Sequence, residues 1–229
     1  MGCCGLAKYC LKEVAAATAL AAVLCSLAFW KLPVVLAVGV AAVPVVVWAW
    51  LLWFFRDPRR DAPSGDGLIV SPADGAVTDI TPIGPRSVLG REGTQIGIFM
   101  SIFSVHVNRS PADAVVRSVE HKAGSFLDAR DAAAGERNES ATIFLTHERR
   151  GQQYPLVVRQ VAGLLARRIV TDLAAGQSIR RGQRIGMIKL GSRLELLLPR
   201  ELAGEVLVQV GQNVKAGLTV LARAAEAST

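Results

Sequence analysis

The sequence predicts a mainly β domain preceded by an N-terminal anchor of two hydrophobic helices, and three observations predict it. Residues 14–30 run 17 positions without a charge, and residues 32–55 run another 24. Short apolar runs beyond residue 66 are separated by Gly, Pro and charged turns, as in a many-stranded sheet. Apolar residues (AVILMFWYC) make up 51% of the chain, high for a protein lying wholly in water.

At ~1.5 Å per helical residue the second apolar run spans ~36 Å, enough for a hydrocarbon core, and the first spans ~25 Å. A hairpin anchor over residues 1–55 is preferred to a cleaved leader, because no A-x-A-like site precedes a mature start. All four tryptophans (Trp30, Trp48, Trp50, Trp53) sit at or near the ends of the runs, where interfacial aromatics belong. Lys8 and Lys12 flank one end, and Arg56, Arg59 and Arg60 the other, so the positive-inside rule places both flanks at the cytoplasmic face of the cell membrane. The polar, Pro- and Gly-rich stretch 56–66 reads as a linker.

The net charge of +7 suits work beside something acidic, an anionic membrane surface or nucleic acid. Nucleic acid is disfavoured because no recognition motif or aromatic stacking block lies outside the anchor. All four cysteines fall within the first 25 residues, which removes thiols from disulfide, metal or nucleophilic roles in the domain. The three histidines, His106, His121 and His147, show no metal spacing.

In the domain, 67–229, strands are expected over 67–70, 95–100, 141–146, 156–161, 185–190, 194–198 and 205–210, with helical periodicity only over 123–134. The pattern Gly-x-x-Ile/Val-x-x-Gly-x-x-Ile/Val occurs at Gly176–Ile185 and at Gly211–Val220, 35 residues apart. Glycines flanking a buried aliphatic suit tight turns between short strands, as in the barrel-sandwich hybrids of lipoyl and biotinyl carriers. Neither Lys189 nor Lys215 has the setting of a carrier lysine.

Three separated segments carry groups able to do chemistry together: Ser71-Pro72-Ala73-Asp74-Gly75, Val105-His106-Val107-Asn108-Arg109 and Gly191-Ser192-Arg193. A serine hydroxyl attacks a carbonyl only when an imidazole takes its proton, and a carboxylate steadies the imidazole. Gly191, lacking a Cβ, leaves its carbonyl open to approach.

With Phe54-Phe55-Arg56-Asp57-Pro58 and Val158-Arg159-Gln160-Val161-Ala162-Gly163, these blocks resemble, in order and rough spacing, the short-form phosphatidylserine decarboxylases. The resemblance implies a proenzyme that cuts itself between Gly191 and Ser192 into chains 1–191 and 192–229, which stay together as a heterodimer by strand pairing. Ser192 would become a pyruvoyl group, forming a Schiff base with phosphatidylserine and releasing CO2 to give phosphatidylethanolamine. No metal and no PLP is needed. The resemblance gives His106 and Asp74 to self-cleavage, with Asp74 orienting His106. Longer members carry a second histidine where this chain has Phe103, which leaves the proton donor after CO2 loss to His106 or a water.

An anionic phospholipid substrate calls for basic residues, for which Arg109, Arg137 and Arg193 are the candidates. Two other classes stay open: a membrane-anchored serine hydrolase using Ser192, His106 and Asp74, which lacks the G-x-S-x-G elbow, and a non-catalytic lipoyl-like adaptor. Long sheet edges would also permit a higher oligomer.

Overall fold

The computed structural model describes residues 5–127, 137–163, 168–189 and 192–225. The chain divides into two compact units, one ending at Arg59 and the other beginning at Arg60.

In the first unit, α1 (Leu11–Lys31) and α2 (Val34–Phe54) form a hairpin. Pro33 disfavours helical geometry at the preceding residue, and Leu32 is extended, so the helix stops and restarts there. The helices meet through Ala28, Ala37 and Ala41, small side chains that allow close approach, and Trp48 Nε1 donates to Thr18 Oγ1 at 2.9 Å. Their other faces expose Leu20, Val23, Phe29, Val35, Val38 and Val46. Both helices are long and apolar enough to cross a membrane.

The second unit contains β1 (Leu68–Val70), β2 (Gly75–Ile83), β3 (Gly93–Met100), β4 (Val107–Arg109), β5 (Ala114–Lys122), β6 (Ser140–Arg149) and β7 (Gln152–Val161). They are followed by β8 (Ile169–Thr171), β9 (Ser178–Ile179), β10 (Arg184–Ile188), β11 (Ser192–Pro199), β12 (Glu205–Val206), β13 (Asn213–Val214) and β14 (Val220–Arg223). One antiparallel sheet has the order β13-β2-β3-β11-β7-β6-β5-β9 and curls into a half-barrel; two three-stranded sheets have the orders β1-β14-β12 and β4-β10-β8. The mainly β, barrel-sandwich-like domain expected from the sequence is what forms. Its core takes alternate residues of the central strands, Ile96 and Ile98, Leu194, Leu196 and Leu198, Leu156 and Val158, Ile143 and Leu145.

The glycine pattern proves to be part of a duplication. Gly176 and Gly211 have φ of 82° and 88°, and Gly182 and Gly217 have 76° and 74°, values that favour glycine. Gly176 N–H donates to Val116 O while Val116 N–H donates to Gln177 O; Gly211, Val77 and Gln212 repeat that exchange. The strands these turns join follow a second repeat, Ser71-Pro72-Ala73-Asp74 and Ser110-Pro111-Ala112-Asp113, in which each serine hydroxyl donates to the alanine carbonyl at 2.7 Å. Register shifts recur at Val77/Asp79 and Val116/Ser118. The copies also clasp each other: Arg109 N–H donates to Pro72 O and Val70 N–H to Pro111 O, both at 2.9 Å.

One copy is therefore β4–β10, and the other is β1–β3 with β11–β14. The sheet order reads as mirrored about the β11/β7 pair, and the two small sheets are counterparts. The first copy is inserted between β3 and β11 of the second. The chain passes from the outer copy to the inserted one through residues 101–106, and returns to the outer copy at Ser192, where β11 begins.

Residues 60–66, expected as linker, lie along the second unit. Arg60 holds Asp74, Arg149 Nε donates to Asp66 Oδ2 at 3.2 Å, and Arg181 Nη1 donates to Gly65 O at 3.0 Å. Of the helix expected over 123–134, residues 123–127 are not helical, and Ser125 instead makes an isolated parallel bridge with Asn138; residues 128–134 lie outside the described part. The buried Asn138 side chain overrides the local periodicity there by bonding Leu127 N–H, Leu127 O and Ala162 O.

Candidate active site

Both crossings bring a reactive side chain. Ser192 opens β11 opposite Met100, the last residue of β3, and is 0% exposed. Its hydroxyl donates to Met100 Sδ at 3.6 Å. A thioether is a weak acceptor, so the hydroxyl is held in place without being strongly bound. Gly191, the other half of the expected cleavage site, lies outside the described residues.

His106 stands at the end of the first crossing and is fully buried. Its carbonyl accepts Ile188 N–H at 3.4 Å, four residues before Ser192 in the chain. Its Nδ1 lies 2.9 Å from Ser104 O. A carbonyl can only accept, so Nδ1 carries the hydrogen, and in the neutral ring Nε2 keeps a lone pair for a proton. The tautomer that a general base needs is fixed by the backbone of its own loop.

Asp74 was expected to hold that imidazole, but the structure gives its carboxylate other bonds. Arg60 donates to both oxygens, with Nη2 to Oδ2 at 2.9 Å, and Ala216 N–H donates to Oδ1 at 2.7 Å. Arg60 Nη1 also donates to Ala216 O at 2.8 Å. The Asp74 loop reaches the His106 segment through the Arg109 N–H to Pro72 O bond.

The three candidate arginines part company. Arg193 is buried, with Nε on Glu195 Oε1 at 3.0 Å, Nη2 on Asp79 Oδ2 at 2.7 Å and Nη1 on Thr78 Oγ1 at 2.8 Å. Burial opposes its charge, but Glu195 and Asp79 outweigh that, so its pKa is raised. Glu195 is shared with Arg159 Nη2 at 2.7 Å. Arg109 is buried and donates to Gly182 O at 3.0 Å. Arg137 is exposed, next to Asn138, at the end of the large sheet where Ser140, Val161 and Arg193 are register partners.

Sequence reasoning gave no role to Met100, Asn108, Gln160 or Thr171, which form a buried polar chain ending at Ser192. Thr171 Oγ1 donates to Gln160 Oε1 and Gln160 Nε2 to Asn108 Oδ1, each at 2.8 Å, and Asn108 Nδ2 points to Met100 Sδ at 3.7 Å. The usable signal was Gln160 itself, an amide inside an apolar strand run, which must find partners when buried.

The duplicated β domain thus carries a buried serine at the start of β11 and a buried histidine just before β4, side chains of the types that serve as nucleophile and base. A family model described as phosphatidylserine decarboxylase matches residues 47–222. A phosphatidylserine decarboxylase proenzyme from Symbiobacterium thermophilum is 44% identical over 202 residues, 88% of each chain. Proenzymes of the same description from Paramagnetospirillum magneticum and Cereibacter sphaeroides are 43% and 42% identical, covering 76% and 78% of this chain and 71% and 76% of their own. The chain belongs to the phosphatidylserine decarboxylase family, and so to the carboxy-lyases.

Proposed function

We propose that this chain is a proenzyme that cuts itself between Gly191 and Ser192 and then decarboxylates phosphatidylserine to phosphatidylethanolamine in phospholipid synthesis. The observation that carries the reading is the buried Ser192 hydroxyl at the end of one crossing, with His106 buried on the other in the tautomer of a base. The family and the relatives' descriptions supply the substrate.

In this reading His106 Nε2 takes the Ser192 proton as Oγ adds to the Gly191 carbonyl carbon. The peptide C–N bond breaks, the nitrogen is protonated, and the linkage becomes an ester. Loss of the Ser192 Cα proton with cleavage of the Cβ–O bond releases the 191 carboxylate and leaves dehydroalanine. Addition of water and loss of ammonia then give the pyruvoyl ketone. That group supplies the electron-accepting carbonyl for loss of CO2 from the amino-acid headgroup. Asp74 supports His106 through the loop contact at Pro72. Arg137, exposed at the Ser192 end of the sheet, is the arginine assigned to the lipid phosphodiester; Arg109 and Arg193 support the fold around it.

Intact-mass measurement tests the cut: two chains, the smaller of 38 residues with a blocked, ketone-bearing first residue, support it, and one whole chain in active protein overturns it. His106→Ala is expected to slow cleavage by at least ~100-fold, the usual scale for loss of a general base. Asp74→Asn, which keeps the shape but weakens the Arg60 pair, is expected to cleave slowly, by about tenfold. Wild-type cleavage in either variant removes that residue from the role.

The helix hairpin is assigned as a membrane anchor with the domain on the cytoplasmic side, supported by Lys8, Lys12, Arg56 and Arg59 at the hairpin's open end. High salt is expected to leave the protein in the membrane fraction and detergent to release it. Release by salt alone would show a peripheral protein.

A further inference from the structure

The buried polar chain from Thr171 to Ser192 has a direction. Thr171 hydroxyl donates to the Gln160 carbonyl oxygen, so the Gln160 amide nitrogen faces Asn108 Oδ1, and the Asn108 nitrogen then faces Met100 Sδ. Ser192, Met100, Asn108 and Gln160 are 0% exposed, whereas Thr171 is half-buried. The chain joins the two β layers, since Asn108 and Thr171 lie in the small sheet, and Met100, Gln160 and Ser192 in the large one.

The site is built around a glycine. Gly186 of β10 is the register partner of both Asn108 and Thr171, and a Cβ there would meet Val170 O and, at 3.1 Å, Gln160 Nε2. The absent side chain leaves the gap across which Gln160 bonds both neighbours. A buried amide with two bonds of 2.8 Å is over-determined, and it aims Asn108. Asn108 in turn ends on the same sulfur that holds the Ser192 hydroxyl, at 3.7 and 3.6 Å.

We propose that Thr171, Gln160 and Asn108 are positioning residues for self-cleavage, fixing Met100 Sδ and through it the Ser192 hydroxyl. The proposal rests on Ser192 being the self-cleaving residue. The sulfur serves because it is weak: it sets the hydroxyl's direction while surrendering its proton readily to a stronger base. Met100 is held from two sides, and loss of the Asn108 donor frees its flexible side chain to take Ser192 with it.

The test follows cleavage of newly made full-length chain in lipid nanodiscs by intact mass, alongside the melting temperature of each variant. Asn108→Leu is expected to slow cleavage about a hundredfold and Met100→Leu about tenfold, the scale of a reacting group displaced by ~1 Å. Asn108→Leu alone also strands the Gln160 amide, so it is paired with Asn108→Leu/Gln160→Met, which removes both polar partners and should recover melting temperature. If the chain positions Ser192, the double variant stays as slow as Asn108→Leu despite its recovered stability. Cleavage that returns with stability, or well-folded variants that cleave at the wild-type rate, would overturn the proposal. Thr171→Val, at the half-buried end, keeps the fold and is expected to slow cleavage a fewfold; an unchanged rate removes Thr171 from the chain of positioning residues. A wild-type chain that stays whole overturns the underlying reading of Ser192 as well.

Discussion

Ser192→Ala is expected to remain a single chain of 229 residues with decarboxylase activity at background. The loss should be complete, because the substitution removes both the proposed nucleophile and the oxygen whose elimination would begin the proposed conversion to a ketone. It should also leave the fold intact. The hydroxyl's one described bond is the 3.6 Å contact with a thioether, and alanine fits a site that already holds serine, so the stability change should stay within ~1 kcal/mol. A melting temperature near that of the wild type, together with one uncleaved mass, separates lost chemistry from lost structure. Two chains from this variant would mean that another residue makes the cut.

Glu195→Ala is expected to be the most damaging single change to stability, at about 3–5 kcal/mol, because it strands two arginines. Glu195 is 2% exposed and lies between Arg193 and Arg159, while Asp79 holds the far side of Arg193. Gly97 makes room for the group: a Cβ there would collide with both Asp79 and Arg193. Replacing the buried glutamate leaves only Asp79 to compensate Arg193 and removes the salt-bridge partner of Arg159. The measurement is the urea midpoint of the purified protein in detergent; a shift worth less than ~1 kcal/mol would show that the ions are adequately solvated without Glu195. Arg193 has a raised folded pKa, so its charge contributes stability below its unfolded value and loses it only as pH rises through the folded one. That window lies above the ordinary arginine range, and the contribution of this residue stays constant at working pH.

Apolar runs made the central strands legible. Residues 95–100, 141–146, 156–161 and 194–198 all lie inside observed strands, because strands buried on at least one face must be written in apolar residues. β2 and β5 escaped notice because few of their positions are buried, only Val77 in β2 and Ala114 and Val116 in β5, and Thr, Asp and Pro or Arg, Glu and His break up the apolar run. The run 205–210 overshot, since only Glu205–Val206 pair before the Gln209–Gln212 turn takes over. The glycine echo and the Ser-Pro-Ala-Asp repeat both stand in the sequence, but only the matched hydrogen bonds of the fold show that they belong to one duplication. At the site, Ser192 and His106 stand out by chemical type. The bonds of Asp74 to Arg60, and of Gln160 to Asn108 and Thr171, join residues whose pairing is set by the fold, and no local pattern announces them.

The inserted copy also bears on timing. Most partners of β4–β10 lie within their own copy, so that copy can assemble as soon as it is made. The outer copy stays open until residues 192–225 arrive, and Ser192 meets Met100 only once β11 has entered between β3 and β7. A partly made or misregistered chain therefore lacks the arrangement that holds the serine. Under the proposed cut at Ser192, scission would act as a proofreading step, each cut chain carrying a record that its last strands were correctly in place.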